Sequence, residues 1–157
     1  MIWNDTHLSR RPGVPKWLCY ITTCISFIMA YCAIYSCIKE VELMQKIIPA
    51  VATPFFIYYG LCGALTILNG EMYVEKIEKE GDDFVLTNIF YKQISFTTSD
   101  VLSVAISKFS IMDKFLTGFA KHLPGLDLVL KDGSKYYITS DMEHIATLKQ
   151  HLLGIVE

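Results

Sequence analysis

Charge is missing from two long stretches of this chain. Trp17 to Ile38 and Ile47 to Leu68 are each 22 residues long and hold no Asp, Glu, Lys or Arg. Ion and proton pathways across a bilayer are usually marked by intramembrane charges. Their absence argues against a channel or transporter built by this chain alone. Cysteine is missing from Glu71 onward: Cys19, Cys24, Cys32, Cys37 and Cys62 all lie in the two runs. No disulfide framework supports the rest of the chain. No CxxC spacing provides a redox or metal pair either. An excess of positive charge is also missing. Residues 71–157 carry nine Lys against thirteen acids, a balance of −4. Nucleic-acid phosphates call for a net basic face, so no nucleic-acid partner is expected.

Catalytic constellations are missing too. The four histidines are His7, His122, His144 and His151. His144 and His151 are two helical turns apart, too far for the i, i+4 pairing of helical metal sites. Asp82, Asp83 and Asp132 fall in turn sequences, where Asp bonds its own backbone. Gly118 and Gly125 do not have the spacing of a phosphate-binding loop. The expectation is a non-enzyme with no cofactor and no metal.

The two uncharged runs are the first thing present. A bilayer core takes ~20 apolar helical residues to cross. The runs therefore read as transmembrane helices 17–38 and 47–68, joined by a short turn at 39–46. The first run is longer than a signal-peptide core and lacks a small-x-small cleavage site, so it reads as a retained anchor. Trp17 opens it as an interfacial anchor. Pro49 falls in the first turn of the second run, and Pro54 is expected to kink it. Gly60 and Ala64 form a small-xxx-small pair for helix packing, within the hairpin or between two copies. Arg10, Arg11, Lys16, Lys76 and Lys79 flank the outer ends of the hairpin. Only Lys39 and Lys46 lie in its turn. The positive-inside rule then puts both termini in the cytoplasm, with 1–16 as an N-terminal cytoplasmic segment.

From Glu71 the periodicity changes to two. Tyr73–Lys79, Phe84–Tyr91, Ile94–Phe96, Val101–Ile106, Leu126–Leu130 and Tyr136–Thr139 read as strands. Glu80-Gly81-Asp82-Asp83 and Asp132-Gly133 read as turns. Ser140 and Glu143 form a capping-box pattern. It predicts an amphipathic helix over 141–153, carrying Ile145, Leu148 and Leu152 and stopped by Gly154. The predicted class is an α+β membrane protein: a two-helix hairpin, then an antiparallel sheet or barrel with a C-terminal helix.

The order Phe84-Val85-Leu86-Thr87-Asn88, then Ile94 through Val104, then Leu126 through Ile138 around Asp132-Gly133, and then a closing helix, resembles the bacterial pleckstrin-homology-like domains. The resemblance covers 71–157. It implies a PH-like soluble domain behind a membrane hairpin in the bacterial inner membrane, with no shared catalytic residues. It also implies a role as scaffold or accessory subunit of a membrane complex. The partners would be the lipid bilayer and a membrane protein or a second copy of the chain. Eukaryotic relatives of the fold often bind phosphoinositides through a basic loop; the turn Glu80–Asp83 is acidic.

One stretch departs from strand alternation. Phe109, Met112, Phe115, Leu116, Phe119 and Leu123 recur at spacings of three and four, with Lys108, Lys114 and Lys121 among them. One reading is an amphipathic membrane or partner surface over 108–123, with lysines at anionic head groups. On that reading the alternative function is a lipid-binding module. The other reading is a loop whose aromatics are core.

Overall fold

The structure is a computed structural model that describes residues 4–8, 13–107, 125–140 and 142–154. It falls into two compact units. One is residues 16–68, and the other combines 1–15 with 69–157. The expected surface Lys108, Phe109, Met112, Lys114, Phe115, Leu116, Phe119 and Lys121 lies outside the described residues.

The first unit is a helical hairpin. Helix α1 spans Lys16–Lys39 and α2 spans Leu43–Asn69. Both are long and apolar enough to cross a membrane. At 1.5 Å per residue each is at least about 36 Å long, more than the ~30 Å of hydrocarbon. The connecting turn is only Glu40 to Glu42, because α2 starts earlier than the uncharged run does. Pro49 is therefore the seventh residue of α2 and not part of its first turn, and its missing N–H leaves the Gln45 carbonyl without that donor. The helix nevertheless continues through both Pro49 and Pro54. The Thr53 hydroxyl donates to the Pro49 carbonyl at 2.7 Å. Apolar side chains point outward along the hairpin, among them Ile28, Ile48 and Phe55.

The second unit is α+β. Its strands are β1 (Asn4–Leu8), β2 (Val74–Glu80), β3 (Asp83–Asn88), β4 (Gln93–Thr97), β5 (Val101–Ile106), β6 (Leu126–Leu130) and β7 (Lys135–Ile138). Helix α3 (Ile145–Leu152) follows. Strands β1 to β4 form one antiparallel sheet in that order, and β5 to β7 form a second. Among the described residues the sheets do not close into a barrel, and a parallel bridge, Tyr73 to Tyr137, joins β7 to the residue before β2.

Alternation explains most of the core. Leu126, Leu128 and Leu130 of β6 point inward, as do Phe84 and Leu86 of β3. Phe84 and Phe96 are cross-strand partners whose rings stack at 5.4 Å. Such pairs add about 0.5–1.5 kcal/mol beyond their buried area. Leu148 and Leu152 of α3 close the cluster with Ile138 and Met142. The β6–β7 connection is a three-residue turn. Gly133 N–H donates to the Leu130 carbonyl, and Gly133 adopts φ +89°, a conformation open to glycine at little cost.

Three differences from the sequence reading have physical causes. Strand β1 carries no apolar alternation, yet it pairs antiparallel with β2, placing His7 opposite Ile77. Strand β3 stops at Asn88 instead of reaching Tyr91, because the Asn88 side chain turns the backbone. Helix α3 starts at Ile145, with His144 before it at φ 51° and no side-chain cap bond. Met142 is buried in the core, so the chain bends inward just where the Ser140–Glu143 box would have started a helix.

Candidate functional site

The β3–β4 turn is heavily bonded. Asn88 lies fully buried at its start. Its Oδ1 accepts from the backbone N–H of Phe90 at 3.0 Å and of Lys92 at 2.9 Å. Its backbone N–H donates to the Lys92 carbonyl at 3.0 Å. Tyr91 takes φ 63°, a left-handed conformation uncommon outside glycine and asparagine. The Asn88 bonds over-determine the turn and so hold that residue in place.

The turn holds two distant pieces of chain. Ile89 N–H donates to the Tyr73 carbonyl at 3.0 Å, just beyond α2. The Ile89 carbonyl accepts from Val14 N–H at 2.7 Å, just before α1. One residue therefore bonds the chain entering the hairpin and the chain leaving it. Further bonds support each side. On the entry side, the Tyr91 hydroxyl donates to the Gly13 carbonyl at 2.6 Å, and Gly13 N–H donates to Glu75 Oε1 at 2.6 Å. Any Cβ at Gly13 would lie 2.5 Å from the Glu75 carboxylate and 2.7 Å from the Ile89 carbonyl, so only glycine fits. On the exit side, Asn88 Nδ2 donates to the Glu71 carbonyl at 3.3 Å, and Gly70 lies against the Phe90 ring.

Beside this turn is a groove of about 350 Å³. Glu71, Met72, Asn88 and Lys92 line one side, and Gly133 to Tyr136 of the β6–β7 hairpin line the other. Its floor is mainly apolar, with Ile94 and Tyr136. Lys92, Lys135 and the Ser134 hydroxyl stand at its rim, with Glu71 3.9 Å from Lys92 Nζ. The arrangement can hold a small amphipathic group, but it presents no nucleophile–base pair. Among the described residues, no three His, Cys, Asp or Glu side chains come together as a metal site would require.

A second polar cluster is local. Asp100 accepts from Thr97 N–H at 2.8 Å and from the Thr97 hydroxyl at 2.7 Å. These two bonds, the backbone one foremost, hold its carboxyl below the usual carboxylate range. The cluster shapes the corner between β4 and β5.

Of the residues singled out from the sequence, Gly60 is buried in the hairpin. A Cβ there would meet the Phe27 ring of α1 at 2.9 Å. Ala64 is half-buried. Gly63 lies directly against Thr23, whose hydroxyl is buried without a hydrogen-bond partner. These contacts are within the hairpin, as intramolecular packing requires. The turn from Asn88 to Lys92 escaped the sequence reading, which ran a strand through it. An Asn inside an apolar run was the available signal, since Asn side chains bond nearby backbone and end strands. No protein-family model matches the chain, and no curated protein matches it.

Proposed function

We propose that the protein is a non-catalytic, membrane-anchored module: a transmembrane hairpin carrying a PH-like domain, acting as scaffold or accessory subunit of a membrane protein complex. The observation that carries this reading is the double attachment at Ile89. Among the described residues, the domain takes one strand from before the hairpin and six from after it. Its β3–β4 turn bonds the chain at both crossings. Chain from before the hairpin and chain from after it thus close one and the same α+β unit.

Four strands, then three, then a closing helix support the PH-like reading. With β1 at Asn4–Leu8, the acidic turn Glu80–Asp83 is the second connection between strands, and the first is the membrane hairpin itself. The Lys and Arg distribution supports cytoplasmic termini; the bacterial inner membrane is what the PH-like resemblance implies.

Affinity capture from mild detergent tests the reading. The full chain should repeatedly return the same membrane protein or a second copy of itself. A chain cut after Asn69 should lose that partner. Equal recovery by both, or no specific partner, overturns the scaffold role.

The lipid-binding alternative is favoured by one observation. Ser107 N–H donates to the Gly125 carbonyl at 2.8 Å, and the interleaved lysines and aromatics lie between these two residues in the sequence. Phe115→Trp in nanodiscs containing brominated anionic lipid reads it out. Quenching on anionic but not neutral discs supports surface insertion, and absence of quenching on both removes it.

A further inference from the structure

We propose that the outward face of α2 around Tyr59 is where a second copy of this chain docks, the two Tyr59 hydroxyls bonding each other across a two-fold axis in the middle of the membrane. The proposal rests on the membrane-anchored reading and names a partner for it.

The argument starts from the hydroxyls of the hairpin. Thr22, Ser26, Thr53 and Thr66 each donate to a carbonyl one turn back in their own helix. Ser and Thr reach their own backbone because the hydroxyl sits on Cβ. Tyr58 has the Cys62 side chain, one turn on, as its partner. The Tyr59 hydroxyl makes no hydrogen bond among the described residues, and the residue is 61% exposed. Its ring meets the Tyr58 ring edge-on at 5.7 Å, and the phenol is carried outward.

Depth makes that unpaired hydroxyl costly. Tyr59 lies about 2 Å along the axis from the middle of the uncharged run 47–68, at 1.5 Å per residue. In a hydrocarbon core of ~30 Å, both interfaces are then about 15 Å away, beyond the reach of one side chain. Tyrosine is ordinarily placed at those interfaces, with its ring in the apolar layer and its hydroxyl wet. Lipid tails offer no hydrogen-bonding atom, so a hydroxyl at this depth calls for another protein group. Tyr31 of α1 is exposed too, but it belongs to a ladder. Its ring stacks on Tyr35, and Lys39 Nζ lies 4.8 Å from the Tyr35 ring. That ladder runs to the charged end of its helix.

Two features single out a second copy as the partner. A phenol hydroxyl both donates and accepts, so one Tyr59 satisfies another without a further group. Copies inserted in the same direction carry Tyr59 at the same depth, and a two-fold axis along the membrane normal brings like residues together. The surrounding face suits such a contact. Ile48, Val51, Phe55 and Tyr59 recur every three or four residues, and all are exposed. The face that α2 turns to α1 is a different one, with Gly60 against Phe27 and Gly63 against Thr23. The hairpin contact therefore leaves the Tyr59 stripe open.

The test follows the full chain in lipid vesicles, with a monomeric donor or acceptor fluorescent protein fused after Glu157. Energy transfer should fall as a monomer–dimer equilibrium when protein is diluted into lipid. Tyr59→Phe removes one oxygen and keeps the ring against Tyr58. It should weaken the dimer about three- to twenty-fold, the range of interhelical hydrogen bonds in bilayers. Phe55→Ala, on the same stripe, should weaken it too, and Tyr31→Phe should leave it unchanged. The proposal is overturned by transfer no higher than chance at every protein-to-lipid ratio, by transfer that either α2 variant leaves unchanged, or by a Tyr31→Phe loss equal to that of Tyr59→Phe. Alkaline extraction of the same vesicles separates this failure from failure of the anchor reading. Wild type and Tyr59→Phe should both stay with the lipid. Release of the wild type would remove the membrane hairpin, and the proposal with it; retention without transfer removes the second copy alone.

Discussion

Asn88 and Asp100 show how differently two polar side chains can matter at the residue scale. Asn88 is fully buried and serves three backbone groups, so Asn88→Ala orphans buried donors and an acceptor. A lost partner of that kind costs about 1–3 kcal/mol. Chemical denaturation of the domain should show a loss in that range, and a loss under about 0.5 kcal/mol would remove Asn88 as the organiser of the turn. Asp100 is exposed and acts through its charge. Its folded carboxyl titrates below the unfolded one, so its stabilising contribution is complete above the unfolded value of ~3.9 and is lost as pH falls through the folded value. The difference in Tm between wild type and Asp100→Asn should therefore be constant near neutral pH and narrow in acid. A difference that stays constant through acid pH would mean that the Thr97 bonds do not depend on ionisation.

Strand β1 is the element that carries most of the unexpected architecture. Deleting residues 1–12 removes β1 and bares the outer edge of β2. The loss of even two net hydrogen bonds, at about 1 kcal/mol each, corresponds to roughly 8–16 °C in Tm for a domain of this size. Thermal melts of the deleted and intact chains measure it; identical melts would show that the domain does not depend on β1. The other elements were largely legible in the sequence. Strands β5 and β6 match the reading to the residue because β-branched and alternating residues are bounded by turn formers. Asp132-Gly133 marked the hairpin, although a three-residue turn with Gly133 last forms in place of a two-residue one. β1 was illegible because Asn4-Asp5-Thr6-His7-Leu8 has no period and its pairing depends on a partner some seventy positions away. The groove was illegible for the same reason. Glu71, Asn88 and Ser134 become neighbours only through the sheet connections, and no local pattern encodes that.

The whole molecule makes a firm demand on orientation. β1 precedes α1, β2 follows α2, and the two strands pair, so both outer ends of the hairpin must be on one side of any membrane it crosses. Cysteine labelling at Asn4 and Leu43, in a chain without native cysteines, should give opposite accessibility in intact cells, with Leu43 the outer position. Equal accessibility would break the hairpin reading, and Asn4 outside would invert it. The same pairing sets an order of events during synthesis. His7 leaves the ribosome about seventy residues before its partner Ile77. At ~5–20 residues per second, that is a wait of roughly 4–14 s. Throughout it the first strand has no sheet to join, and, if the hairpin crosses a membrane, both helices must enter the bilayer in that interval. Completion of the sheet would then report that both helices had crossed. A chain whose hairpin entered with only one span across would leave β1 and β2 on opposite faces of the membrane, permanently unpaired and open to proteolysis from either side.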